Sequence, residues 1–318
     1  MIHLKDGIHV KSKGKKYVLD SRNSQGDVNF VSHAHSDHSP QKDCKTVCSD
    51  LTHKILGERF SSKIENTEKQ GVELFPSGHI VGSSAALIED KILYTGDVST
   101  RDRCYLDGFK PVKADKLIIE TTYGLQNYKF PDQKELEKEI KDWIRDSDKP
   151  LFLFAYSLGK AQKIQHLVQE ATKKPIVAHK SVIEMNKVIQ ENTELRFRAE
   201  HYKNNREVLE EKGVFIVPSH CSRADYIQKM SEKYGCLKAG FSGWAVNSSY
   251  RYRGGYDKTF PFSDHCDFEE LVELVENVDP EKVYTNHGFD EAFASYLRRE
   301  KGFNARALKN NQSSLTDF

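Results

Sequence analysis

Val28-Asn29-Phe30-Val31-Ser32-His33-Ala34-His35-Ser36-Asp37-His38 is the stretch whose reading decides this chain. Val28–Val31 is a short apolar run of strand type. Four potential metal ligands follow it between His33 and His38. In an extended or tightly turning segment His33 and His35 point to the same side. The turn that follows brings Asp37 and His38 round to a neighbouring point, so one loop can serve two adjacent metal ions. Imidazole nitrogen with carboxylate and no thiolate suits zinc, with manganese or iron as lesser candidates. A polar loop with incidental histidines would not concentrate ligands in this way.

Two later features gain weight from their order behind this loop. Pro76-Ser-Gly78-His79-Ile-Val-Gly82-Ser83 sets one histidine between two glycines, and Thr95-Gly96-Asp97 closes the apolar run Ile92–Tyr94. Alone, Asp97 reads as a turn former and His79 as an unremarkable polar residue. The rest of the composition is bland. The 318 residues carry 48 Lys+Arg against 47 Asp+Glu, a net charge of +1. That balance excludes a general polyelectrolyte binder, whose affinity rests on many phosphate contacts. No apolar run reaches the ~18–20 residues of a membrane span, and Met1–Lys16 lacks a signal-peptide core, so no membrane association is expected. The 6 cysteines show no CxxC spacing, which reads as a reduced, cytoplasmic protein.

Short apolar runs separated by Gly, Asp or Ser make the first 120 residues β-rich: Ile8–Val10, Tyr17–Leu19, Val72–Phe75, Ala85–Ile88 and Leu117–Ile119 among them. Lys11–Lys16 between two such runs reads as a solvated hairpin turn. After Gly124 the pattern alternates. Leu136, Ile140, Trp143 and Ile144 mark a helix ended by Pro150, and Leu151–Tyr156 is a buried strand. Helical and strand patterns then take turns through Leu237–Phe241, as expected for a parallel, helix-covered sheet. Helix 267–277, strand Val283–Thr285 and helix Glu291–Lys301 follow. The expected organisation is a first domain over 1–125, an inserted domain over 126–252, and completion of the first over 253–318. The polar tail Asn310–Phe318 is expected to fray.

The series HxHxDH, GH, GD and a late histidine resembles the metallo-β-lactamase superfamily, and the downstream motifs resemble its β-CASP nucleases. Ile118-Ile119-Glu120-Thr121-Thr122-Tyr123-Gly124 is similar to their motif A. Phe262-Ser263-Asp264-His265-Cys266-Asp267 is similar to motif B, and Thr285-Asn286-His287-Gly288 to motif C. Phe154–Gln162 and Phe241–Ala245 resemble the opening and closing of the β-CASP insert. The resemblance covers nearly the whole chain in order. It implies an α/β protein: a four-layer αββα metallo-β-lactamase domain with an inserted parallel α/β domain. It further implies two Zn2+ ions, the first held by His33, His35 and His79 and the second by Asp37, His38 and His287, with Asp97 shared. The implied reaction is hydrolysis of a phosphodiester by metal-activated water, with Asp37 also in the catalytic set. His265 is the candidate general acid and Glu120 its orienting partner.

For the substrate, Ser157, Gly159 and Lys160 at a strand-to-helix junction are candidate phosphate contacts, set against an ordinary helix cap with a surface lysine. Ser219–Arg223 is a weaker candidate of the same kind. Arg251 and Arg253 lie among tyrosines in Tyr250–Tyr256, which suits single-strand stacking or an ordinary surface loop. The leading expectation is a nuclease of single-stranded RNA in mRNA 3′-end-like processing. His287 stands where Artemis-type DNA nucleases typically carry Val. The alternative is a DNA-end-processing exonuclease in repair, because ligase-associated exonucleases share that histidine. The long insert between Glu120 and His265 disfavours a small-molecule thioesterase or lactonase. The intact ligand set disfavours an inert interaction subunit. Related nucleases commonly dimerise, which leaves a homodimer open.

Overall fold

The computed structural model describes residues 1–68 and 70–309; the expectation for Asn310–Phe318 lies outside them. The chain starts with β1 (Ile2–Lys5), β2 (Gly7–Ser12), β3 (Lys15–Leu19) and β4 (Val28–Phe30), which form one sheet in that order. The β2–β3 hairpin turns at Lys13 (φ 44°) and Gly14 (φ 80°), two successive positive-φ residues as a two-residue turn matched to strand twist requires. The lysine-rich turn is therefore a hairpin tip. A two-stranded ribbon, β5 (Cys44–Thr46) and β6 (Ile64–Asn66), flanks α1 (Asp50–Arg59). α1 was not legible in the sequence, because it buries only Thr52, Ile55 and Leu56. β7 (Val72–Pro76), β8 (Ser84–Ile88), β9 (Ile92–Tyr94) and β10 (Lys116–Glu120) then enter a second sheet.

The middle of the chain builds a sheet of its own. In order come α2 (Gln133–Asp146), β11 (Leu151–Ala155), α3 (Lys160–Ala171), β12 (Ile176–Ala178), α4 (Lys180–Asn192) and β13 (Glu200–His201). β14 (Val214–Pro218), α5 (Asp225–Tyr234), β15 (Leu237–Phe241), α6 (Ser249–Gly254) and β16 (Lys258–Phe260) follow. All six strands are parallel, in the order β13-β12-β14-β11-β15-β16. Alternate residues of each central strand feed opposite cores. Leu151, Leu153, Val214 and Ile216 pack under α2, α3 and α4, while Phe152, Phe154, Phe215 and Val217 pack with Ile227 of α5. Burial on both faces explains why these strands read as continuous apolar runs.

The chain returns through α7 (Phe268–Val278), β17 (Lys282–Asn286), α8 (Asp290–Glu300) and β18 (Ala305–Ala307). β17 and β18 complete the second sheet, order β18-β17-β10-β9-β8-β7. Here too the period of two divides the side chains. Ala85, Leu93, Leu117, Ile119 and Val283 face α7 and α8, while Ala86, Ile92, Tyr94, Ile118 and Tyr284 meet the first sheet across a shared core. This is the helix-covered double sheet that the resemblance implied.

Two compact units result: Met1–Arg101, Asp107–Lys129 and His265–Phe318 form one, and Asp102–Leu106 with Phe130–Asp264 the other. The sequence pattern placed the insert at 126–252; the second unit runs on to Asp264 because β16 pairs in parallel with β15. Cys104 N–H donates to Glu137 Oε1 at 3.0 Å, which ties the short 102–106 segment to α2. Among the described residues no helix is long and apolar enough to cross a membrane.

Candidate metal centre

The loop after β4 turns sharply: His38 N–H donates to the carbonyl of His35 at 3.2 Å, and Ser39 Oγ donates to the same oxygen at 2.6 Å. The turn leaves three histidine nitrogens converging. His33 Nε2 lies 2.9 Å from His35 Nδ1, and His79 Nε2 lies 3.3 Å from the same atom. Asp97 Oδ2 is 3.5 Å from His33 Nε2 and 3.6 Å from His79 Nε2. The four donor atoms all fall within 4.8 Å of one another. Donors bound tetrahedrally at zinc's usual bond lengths lie about 3.3 Å apart, so this set fits zinc in spacing and in chemistry.

Charge agrees with that fit. Burial, helped by neighbouring His38, His35 and His79, holds His33 well below the usual imidazole range, so it stays neutral with a free lone pair. Burial pushes the Asp97 carboxyl up, against the pull of His38. Burial would lower His38, yet Asp97 and then Asp20 draw it up to about 10. Carboxylates buried at this density favour whatever positive charge is offered, and a divalent cation supplies it.

The second expected ligand group is more open. His38 Nε2 is 3.5 Å from Asp97 Oδ1 and 3.7 Å from Asp37 Oδ2, and the His38 and His287 rings stack with centroids 5.6 Å apart. The Asp37 side chain is 62 % exposed. A cavity of about 340 Å³ opens beside Asp37, His38, Asn286 and His287.

Asp20, which the sequence reading passed over, organises the loop. Its Oδ1 accepts from Ser32 N–H at 2.7 Å; its Oδ2 accepts from Ser32 Oγ at 2.6 Å and Tyr94 OH at 2.7 Å. The same Oδ2 meets His38 Nδ1 at 2.8 Å. A carboxylate can only accept, so Nδ1 carries the proton and Nε2 is left for the metal side. Ser32 Oγ also reaches His33 Nδ1 at 2.9 Å. The signal in the sequence was a lone carboxylate directly after the strand Tyr17–Leu19. It sits at φ 47°, a conformation Asp tolerates better than most residues.

Glu120 and His265 meet at the ends of β10 and the motif B turn. His265 Nδ1 donates to Glu120 Oε1 at 2.7 Å. Glu120 is 3 % exposed, and it also accepts from Val98 N–H at 3.0 Å and from the amide of Thr122 at 3.1 Å, with the Thr122 hydroxyl beside it. Burial alone would raise its pKa, but His265 and these donors bring it down to about 2. The carboxylate therefore stays ionised and keeps the Nδ1 proton on His265. The ring of His265 lies 4.6 Å from that of His79, next to the converging donors.

Thr121 ties motif A to motif C. Its amide donates to Asn286 O at 2.9 Å, its carbonyl accepts from Phe289 N–H at 2.9 Å, and its hydroxyl donates to His287 O. Gly288 (φ +64°) runs so close that a Cβ there would sit 2.4 Å from Thr121 O. His287 itself has φ 63°, a left-handed conformation that non-glycine residues seldom adopt.

The expected substrate contacts of the other unit have partners of their own. Lys160 is 4 % exposed, with Nζ 3.2 Å from Asp264 Oδ2, and Lys163 Nζ donates to Asp264 Oδ1 at 2.7 Å. Lys160 is thus half of a buried two-lysine clasp on Asp264, a partner that the sequence reading did not supply. Ser157 Oγ bonds Ser181 Oγ at 3.0 Å, and Gly159 N–H donates to Gln162 Oε1 at 2.7 Å. Arg251 and Arg253 lie exposed on the short helix α6, where Arg251 Nε also reaches Tyr256 O at 3.2 Å.

Residues 258–308 match the model of a Zn-dependent metallo-hydrolase RNA specificity domain. The chain is 32 % identical to a probable DNA ligase of Opitutus terrae over 90 % of its own length, but spans only 29 % of that relative. It is 25 % identical to the probable RNase MJ4 of Methanocaldococcus jannaschii, covering 91 % of this chain and 88 % of that one. It is also 25 % identical to cleavage and polyadenylation specificity factor subunit 3 of Dictyostelium discoideum, covering 83 % and 41 %. In fold it is similar to a crystal structure of a protein of unknown function from Enterococcus faecalis, with TM-score 0.66, 13 % identity and 98 % and 97 % coverage. Taken with the order of the histidine and acidic motifs around a separately folded parallel unit, these likenesses are consistent with the β-CASP nuclease family of the metallo-β-lactamase superfamily.

Proposed function

We propose that this protein is a zinc-dependent nuclease that hydrolyses phosphodiester bonds of single-stranded RNA. The observation that carries the reading is the convergence of His33, His35, His79 and Asp97 beside a histidine fixed by a buried carboxylate. Bound metal supplies Lewis acidity and a water acidified toward neutrality. Asp37, His38 and His287, with Asp97 between the two groups, are proposed to hold a second Zn2+, with Mn2+ as a substitute.

The chain's own residues supply the rest. Glu120 fixes the tautomer and direction of the His265 ring and favours its protonated form. His265 Nε2 then gives its proton to the sugar oxygen that leaves, and takes one back from water after the bond has broken. Asp20 holds His38 in the same manner on the metal side.

RNA as substrate is supported by the match to an RNA specificity domain and by relatives whose names are those of RNA nucleases. A second reading, processing of DNA ends, is favoured by the likeness to a probable DNA ligase over most of this chain. Matched end-labelled RNA and DNA, incubated with the zinc-loaded protein with and without chelator, separate the two. Faster, chelator-sensitive loss of RNA supports the proposal, and preferential loss of DNA replaces it with the second reading. A cytoplasmic setting remains part of the proposal, supported by 6 cysteines that are all free thiols.

A further inference from the structure

Helix α5 buries Ile227 and Ser231 and turns a different stripe outward. Tyr226, Lys229, Met230, Lys233 and Tyr234 recur at i, i+3, i+4, i+7 and i+8, the spacing of one helical face. Across from them stand Tyr202 and Arg206, from two short 3-10 turns after β13. The two sides enclose a cavity of about 390 Å³ lined by three tyrosines, three cations and one methionine. No carboxylate lines it. Its volume falls in the range of pockets that hold nucleotide-sized ligands, ~300–1,000 Å³.

We propose that this groove binds a single-stranded segment of nucleic acid, as a site additional to the metal centre, with bases on the tyrosines and phosphates on the cations. The inference rests on the nuclease reading above for the class of ligand. Base stacking needs ring faces that are firmly held and partly open. The Tyr202 ring packs 4.8 Å from that of buried Phe215, and Tyr226 is 38 % exposed. Lys233 Nζ stands 4.5 Å over the Tyr234 ring and donates to its hydroxyl at 2.9 Å, so ring and cation form one surface. Some lysines elsewhere have acidic partners, as in Lys141–Glu170, Lys258–Glu139 and Lys301–Glu276. Arg206 and Lys229 make no salt bridge among the described residues. A groove with ring faces, cations and no carboxylate is complementary to a chain that alternates flat bases with phosphates.

The test measures binding of a fluorescein-labelled, cleavage-resistant phosphorothioate oligo(U) to the zinc-loaded full chain over a range of salt. Hydrolysis of bis(p-nitrophenyl) phosphate, too small to involve a second site, is followed in parallel. Tyr226→Ala should weaken oligo(U) binding about tenfold, and Tyr226→Phe, which keeps the ring, should bind as the unaltered protein does. Lys229→Gln with Lys233→Gln should weaken binding and reduce the slope of log affinity against log salt by about 1.4, because two phosphates of a single strand are no longer neutralised. All three variants should keep the small-substrate rate. Unchanged affinity and salt slope would overturn the proposal, as would parallel loss of the small-substrate rate. Poly-glutamate displacing oligo(U) as effectively as unlabelled oligo(U) would also overturn it, pointing to an acidic protein instead. If the groove variants behave as expected while the unaltered protein cleaves neither small nor polymeric phosphodiesters, the groove stands and the proposed function falls.

Discussion

His265 Nδ1 donates to Glu120 Oε1 at 2.7 Å, and Glu120 spends its remaining capacity on Val98 and Thr122. A carboxylate so fully engaged at 3 % exposure stays ionised and leaves its histidine one direction in which to act. Glu120→Gln preserves shape but removes the counter-charge of the imidazolium. RNA cleavage should fall by roughly 10²-fold, and the alkaline limb of the pH–rate profile should move to lower pH. A uniform loss with an unmoved profile would assign Glu120 a purely structural part.

Asp20 touches Ser32, Tyr94 and His38 at once. Asp20→Asn should weaken zinc binding about 10–100-fold, the usual cost of losing an outer-shell partner. Titration with a competing chelator reads the affinity, and added zinc should restore much of the activity. Unaltered affinity would show that Asp20 serves only the fold.

Gly288→Ala places a Cβ at φ +64°, 2.4 Å from the Thr121 carbonyl. The variant should lose more than ~1 kcal/mol of stability in urea unfolding, because both the conformation and the contact oppose a side chain. Activity should fall with it, since His287 is the preceding residue.

Glu89 accepts from Tyr17 OH and pairs with Lys13 Nζ at 2.6 Å. The hydrogen bond from Lys13, then that from Tyr17, lowers its pKa below the ordinary 4.5. A depressed carboxylate contributes stability that is fully present above 4.5 and lost as the pH falls through the lower folded value. The stability gap between the unaltered protein and Glu89→Gln should therefore be full near neutrality and shrink as the pH falls below 4.5. A gap that grows in acid would contradict the pairing.

The loop His33–His38 is legible as a candidate metal site because its candidate ligands are nearly contiguous and their alternation fixes the side to which they point. His79, Asp97 and His287 acquired meaning only from their order, since each stands alone in sequence and is brought in by a different strand end. Asp20 shows in the sequence only as a carboxylate after an apolar run, and the part played by Thr121 does not show: their partners lie elsewhere in the chain, and a hydrogen bond leaves no period. The central strands Leu151–Ala155 and Val214–Pro218 announced themselves through burial on both faces. β13 carries only Glu200 and His201 and had no apolar pattern to show. The tyrosine and arginine run at Tyr250–Tyr256 folds in part as the short helix α6, where a loop was the ordinary reading. In sequence Lys160 reads as a surface lysine or a phosphate contact, because nothing near it reveals Asp264.

His265 is proposed to supply the proton to the leaving oxygen without holding metal, and His265→Ala separates those two roles. A p-nitrophenolate leaves without a proton, whereas a sugar alkoxide does not. Zinc content, RNA cleavage and bis(p-nitrophenyl) phosphate hydrolysis should be measured on the same preparation. A role as proton donor alone requires unchanged zinc, a loss of RNA cleavage of roughly 10²–10⁴-fold, and near-normal release of p-nitrophenolate. Loss of zinc, or an equal fall in both reactions, would contradict it.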